Sequence, residues 1–183
     1  GQDLTRPYDF AQARVVGQEM EDTIALNLVD KEMVNDQLIL TVNYDAECLT
    51  NPAIRSKYDG DYTTDYYGRQ VPKHAHGTAN LHRHTSSSKI IIEAIVSLYN
   101  DIVNPNLLIR RLNISTNHVI PESQVGKQSL QLDLFSDENQ DNTNPDIAKE
   151  KNIQQTILNI KKKYGKNAIL KGLNYKDGAT AKE

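Results

Sequence analysis

The chain has 183 residues, of which 38% are hydrophobic and 25% charged, enough for one domain with extensions or two small ones. No apolar run approaches the length of a membrane span, and residues 1–10 have no signal-peptide character. The net charge of −3 conceals blocks: residues 1–65 carry 5 Lys/Arg against 13 Asp/Glu, 66–127 carry 7 against 3 with all five histidines, 128–150 carry 1 against 6, and 151–183 carry 8 against 2. A mildly acidic chain can therefore still present a basic face to a polyanion.

Residues 7–33 are expected to form a long helix, because Ala13, Val16, Met20, Ile24 and Leu28 recur at steps of three and four. Residues 37–45 alternate as a strand with Leu38, Leu40, Val42 and Tyr44 on its buried side and Ile39, Thr41 and Asn43 opposite. Residues 46–72 lack periodicity and carry the turn signals Asn51-Pro52, Asp59-Gly60 and Tyr67-Gly68, which mark an inserted loop or long hairpin. Cys48 falls in this polar stretch as an incidental thiol, and a single cysteine suits a reducing cytoplasm. Tyr58, Tyr62, Tyr66 and Tyr67 are expected to pack the insertion onto the sheet, with stacking on an unpaired base as the alternative. Residues 73–85 return to an extended pattern.

Ser86-Ser87-Ser88 supplies N-cap hydroxyls for a second helix with Ile91, Ile95, Leu98 and Ile102 as its stripe, stopped by Asn104-Pro105. Residues 107–119 read as a strand, with Leu112 and Ile114 on one side and Arg111, Asn113, Ser115 and Asn117 on the other. A strand ahead of Gly1 would complete β-α-β-β-α-β. The expected fold class is therefore α+β, ferredoxin-like, with two helices on one face of a four-stranded antiparallel sheet and the other face open. Residues 145–164 form a third helix with Ile153, Ile157, Ile160 and Tyr164 as its stripe and Lys161-Lys162-Lys163 near its end, closed by Gly165. The division is residues 1–120 as the domain, 121–144 as a flexible linker and 145–183 as a helical tail. Both ends of the chain look cut.

Four groups are weighed as candidates for chemistry. Lys73, His74, His76, Thr78, Asn80 and Arg83 on one strand, and Arg110, Arg111, Asn113, Ser115 and Asn117 on another, offer the cations and small donors that phosphate contacts need; the alternative is a solvated sheet surface. Adjacent residues point to opposite faces, so only one of Arg110 and Arg111 should reach the open side, and parity favours Arg111. His74, His76, His82 and His84 have the even spacing of a strand face, but no cysteine lies nearby, so phosphate or water contact is preferred to metal. Asp59, Asp61 and Asp65 sit in a glycine-containing turn and are not read as catalytic. Finally, Gln131-Leu132-Asp133-Leu134-Phe135 places apolar anchors before a polar, turn-rich stretch, as a docking peptide would; an edge strand burying Leu130, Leu132 and Leu134 is the alternative.

In order, these segments resemble the C-terminal part of Y-family (UmuC-like) translesion DNA polymerases, the little finger and the tail after it. The likeness rests on Gly1-Gln2 with Tyr8-Asp9, on residues 36–45, on Lys73-His74-Ala75-His76-Gly77-Thr78 with the Thr85–Ser88 cap, and on Tyr164-Gly165-Lys166-Asn167 through Asp177-Gly178-Ala179-Thr180. The QLDLF peptide is similar to the one by which bacterial polymerases and repair proteins attach to the sliding clamp. The resemblance implies a DNA-gripping fragment, nucleoid-associated in the cytoplasm, whose partners are primer–template DNA, the clamp's β subunit and the catalytic core of the same polypeptide. It implies Mg²⁺ for that parent polymerase and no cofactor for this fragment, which lacks the palm carboxylates and should not polymerise alone. In the clamp, Leu134 and Phe135 would fill a pocket, supported by Leu132, with Gln131 at the rim and Asp133 toward solvent. The other readings are a stand-alone adaptor joining DNA to the clamp and, more weakly, a histidine-rich metal module.

Overall fold

The computed structural model describes residues 1–125, 145–169 and 171–180. The first strand lies inside the chain: β1 spans Gln2–Tyr8, and α1 begins later than residue 7, at Phe10–Asp30. Asp9 sets that boundary. Its carboxylate accepts from the Gln12 amide at 2.8 Å, and the Gln12 side chain accepts from the Asp9 amide at 3.2 Å, a reciprocal cap that starts the helix. Pro7 is tolerated in β1 because that strand is a sheet edge, where a missing N–H breaks no ladder.

A turn with Glu32 at φ 53° leads into β2 (Met33–Tyr44). The insertion holds two single-turn helices, α2 (Glu47–Thr50) and α3 (Pro52–Arg55), then a hairpin of β3 (Tyr62–Thr64) and β4 (Gln70–Pro72). β5 (Ala75–Thr85), α4 (Ser88–Ile102), β6 (Ile109–Asn117) and β7 (Ile120–Pro121) follow. The Ser87 hydroxyl caps α4, accepting from the Ile90 amide. Cys48 is fully buried rather than set in a polar loop: its sulfur accepts from the Leu108 amide at 3.2 Å and its thiol donates to the Leu108 carbonyl. Burial raises its pKa, so the thiol is held neutral and withdrawn from solvent.

The fold is α+β. The sheet order is β1-β6-β2-β5, every pairing is antiparallel, and β7 pairs with the start of β2. The β-α-β-β-α-β series is present, but its first and third strands, β1 and β5, occupy opposite edges. A ferredoxin-like sheet would make those two strands antiparallel neighbours at its centre, so the arrangement differs from that expectation in strand order. The core lies between the sheet and the pair α1 and α4: Ala13, Val16 and Leu28 meet Leu38, Leu40, Val42, Leu112 and Ile114, with Ile91, Ile95 and Tyr99 alongside. β5 supplies Ala75, Gly77 and Ala79 to this interface. A Cβ on Gly77 would stand 2.9 Å from Leu98 Cδ1 and 3.2 Å from Ile102 Cγ2, so the small row is what lets α4 close onto the sheet.

The third long helix, α5 (Pro145–Tyr164), uses only part of the expected stripe. Ile157 and Ile160 are half-buried, Ile153 and Tyr164 are 51% and 67% exposed, and the buried positions are Gln154 and Leu158. A polar clamp sets that rotation. Glu150 accepts from the Ser87 hydroxyl and the Lys89 amide, and Gln154 donates to the Ser86 carbonyl and Ser88 hydroxyl at 2.9 and 2.8 Å. Residues 171–180 return to α1 and β1. Glu19 accepts from Asn174 and Thr180, Gln12 donates to Asp177, and Gln2 donates to Thr180. Gly178 sits at φ 92° against the Gln12 backbone, where a Cβ would approach within 2.7 Å.

Candidate nucleic-acid interface

With both helices on one side, alternation sends the remaining side chains of three neighbouring strands to the other. β2 lies in the middle, and its outward residues Gln37, Ile39, Thr41 and Asn43 stand opposite Asn117, Ser115, Asn113 and Arg111 of β6. On its other flank Gln37, Ile39 and Thr41 face Asn80, Thr78 and His76 of β5. Cross-strand hydrogen bonds order these rows: Gln37 donates to Asn80 at 2.9 Å and accepts from Asn117 at 2.9 Å, and Thr41 Oγ1 lies 2.9 Å from His76 Nδ1. His76, Thr78, Arg111, Asn113 and Ser115 thus share one face. That face is rich in carboxamides and hydroxyls, groups that can both donate and accept.

The other candidates stand outside these rows. Lys73 and His74 are exposed just before β5; the Lys73 amide donates to the Asp61 carbonyl, and the His74 ring meets His76 edge-on with centroids 6.5 Å apart. Arg110 occupies a bulge: Ile109 and Arg111 pair with consecutive residues Tyr44 and Asn43, leaving Arg110 as the extra residue. Both arginines are therefore exposed, contrary to the strict alternation expected for them. Arg110 lies 3.9 Å from Asp45, and Arg111 lies 3.4 Å from Asp3. These neighbours reduce the face's positive charge, and the field there is weaker than the arginines alone would give.

Arg83 is exposed beyond a second irregularity. Asn80 pairs with Gln37 but Thr85 pairs with Asn35, so β5 carries extra residues in between, and His82 adopts φ 58°. Even spacing consequently does not align the four histidines. His74 and His76 lie near one end of the face, while His84 joins His118 at the other, 3.8 and 2.7 Å from Asp36. Among the described residues no group of three His, Cys, Asp or Glu side chains is placed to hold a metal ion. The residues that sequence reasoning left out of the site are Gln37, Thr41 and Asn43, the central row. Their alternation was visible, but the strand's position in the middle of the sheet was not.

The insertion meets the expectation for its tyrosines at Tyr58, which packs half-buried against the core, and departs from it at Tyr62, Tyr66 and Tyr67. Tyr66 and Tyr67 are 96% and 78% exposed at the hairpin tip instead of packed on the sheet, because the tip extends from the domain with no core beneath it. Gln131, Leu132, Asp133, Leu134 and Phe135 lie outside the described residues. Among the described residues no helix is long and apolar enough to cross a membrane. No protein-family model matches the chain, and no curated protein matches it.

Proposed function

We propose that this chain is the DNA-gripping, clamp-docking C-terminal part of a Y-family translesion DNA polymerase, with residues 1–120 acting as its little finger. The observation that carries the reading is the open sheet face, three strands wide, on which Arg111, Asn113 and Ser115 align with Thr41 and with His76 and Thr78. Such a surface suits the sugar–phosphate backbone of primer–template DNA. Its hydroxyls and Arg111 suit phosphate oxygens, and the carboxamides of Gln37, Asn80 and Asn117 are hydrogen-bonded to one another across the strands, which opposes the bidentate pairing that would read base edges. Binding is then independent of sequence. Polymerisation and its Mg²⁺ belong to a palm elsewhere in the same polypeptide, and Gln131-Leu132-Asp133-Leu134-Phe135 is the peptide that docks on the sliding clamp in the cytoplasm.

The test is titration of labelled primer–template DNA by fluorescence anisotropy over a range of salt. Arg111→Glu should weaken binding at least ten-fold on every sequence, and Arg111→Ala should lower the salt slope by about one counterion. Asp3→Asn, which releases Arg111 from its carboxylate neighbour, should tighten binding. Affinity that is absent, or indifferent to Arg111→Glu, overturns the proposal.

A further inference from the structure

The β3–β4 hairpin has a built tip. Asp65 and Arg69 close the ladder through the Asp65 amide to the Arg69 carbonyl at 2.8 Å, leaving Tyr66, Tyr67 and Gly68 as a three-residue loop with Gly68 at φ 77°. The Asp65 carboxylate accepts from the Tyr67 and Arg69 amides at 2.9 and 2.8 Å and is paired with the Arg69 guanidinium at 2.8 Å. Two large aromatic rings are thus displayed on a fixed turn, edge to face with centroids 5.4 Å apart. Arg69 lies over the Tyr67 ring at 5.3 Å. At the hairpin base, Arg55 lies over Tyr62 at 5.0 Å, and these two side chains line a cleft of about 390 Å³ with Ala46, Leu49, Arg69 and Gln70.

Exposing two tyrosines that contribute nothing to the core needs a use. Their neighbours along the hairpin, Thr63, Thr64 and Gln70, are exposed and polar, so the rings stand apart from the continuous apolar core that a protein–protein interface is built around. Open ring faces interleaved with guanidinium groups suit the flat faces and phosphates of an unpaired strand. We infer that the β3–β4 hairpin and the cleft at its base bind single-stranded nucleic acid, with Tyr66 and Tyr67 stacking on bases and Arg55 and Arg69 meeting phosphates. The inference rests on the DNA-binding reading above and adds a second class of ligand to it, unpaired rather than duplex. The hairpin leads through Lys73 into β5, whose outward residues His76, Thr78 and Asn80 lie on the open face. Glu47, Asp59 and Asp61 offset the nearby cations, and stacking carries most of the affinity.

The experiment is anisotropy with a short labelled oligothymidylate and, separately, a blunt duplex, on wild type, Tyr66→Ala/Tyr67→Ala and Tyr66→Phe/Tyr67→Phe. The alanine pair should lose at least ten-fold on oligothymidylate and nothing on duplex, while the phenylalanine pair keeps both affinities. Circular dichroism should be identical for all three, since neither ring is buried. Oligothymidylate binding unaffected by the alanine pair, or lost equally in the phenylalanine pair, overturns the inference. Absent oligothymidylate binding with duplex binding still sensitive to Arg111→Glu sinks this inference alone; absence of both sinks the DNA reading as well. Loss of clamp binding by the alanine pair, with oligothymidylate binding intact, would make the hairpin a protein contact and also overturn it.

Discussion

Glu21 is the least comfortable residue in the domain. It is fully buried in α1, and neither carboxylate oxygen has a hydrogen-bond partner among the described residues. Desolvation pushes its pKa from 4.5 up to about 8, so it folds as the neutral acid. In the unfolded chain the same group ionises near its ordinary value. Between those two pH values the unfolded state therefore releases a proton that the folded state keeps, and stability falls as pH rises from about 4.5 to about 8. The full loss is on the order of 5 kcal/mol, and it does not grow above the upper value. Glu21→Gln should match wild type near pH 4.5 and exceed it by several kcal/mol at pH 8.5, as urea melts at the two pH values would show. Parallel pH dependences for the two proteins would mean that Glu21 is not the responsible group. Nothing in the pattern of α1 announced this, because a carboxylate at one helical position in an otherwise apolar stripe reads as a boundary residue.

Among the elements, β5 and α4 illustrate how an interface chooses its residues. Ala75, Gly77 and Ala79 leave just the depth that Leu98 and Ile102 fill, and the outward residues of the same strand are thereby committed to the open face. Gly77→Leu should destabilise the domain by about 1–3 kcal/mol, because the added side chain must displace α4. Gly77→Ala should cost much less, since the nearest atom, Leu98 Cδ1, is the end of a side chain that can rotate. Thermal melts of both variants check this; equal losses would show that backbone contact, rather than side-chain depth, limits the site. The alternation of β2 and β6 was legible from the sequence, as was the Ser87 cap. The bulges at Arg110 and around His82 were not, since an extra residue in one strand depends on what its partner strand does. The face of α5 was legible only in part for a related reason: Glu150 and Gln154 are held by the α4 N-terminus, and that local polar match leaves Ile153 and Tyr164, the ends of the apolar stripe, exposed.

For the whole molecule, DNA grip and clamp docking are assigned to separate segments, and separate segments should fail separately. Leu134→Ala/Phe135→Ala should abolish binding to a bacterial sliding clamp while leaving duplex affinity unchanged, and Arg111→Glu should do the reverse. Surface plasmon resonance on immobilised clamp, with the same proteins titrated against DNA, measures both. On DNA-loaded clamp the wild type should bind more tightly than to either ligand alone, because the first contact raises the local concentration of the second site. Clamp binding that survives the double substitution would return residues 131–135 to a structural role. The C-terminal residues 171–180 meanwhile clasp α1 and β1 through Glu19, Gln12 and Gln2, so the described tail belongs to the same packed body as the sheet.

Periodicity, caps and turn residues determined by themselves that this chain alternates helix and strand, that one sheet face is apolar and the other polar, and which side chains of β6 share the polar side. Those properties follow from bond geometry along a single segment. Tertiary structure alone decided that β1 lies within the chain, that β2 runs through the middle of the open face, that Cys48 and Glu21 are buried, and that Tyr66 and Tyr67 are not. Each of these depends on which segments meet across long stretches of chain, and local patterns of polar and apolar residues carry no record of that pairing.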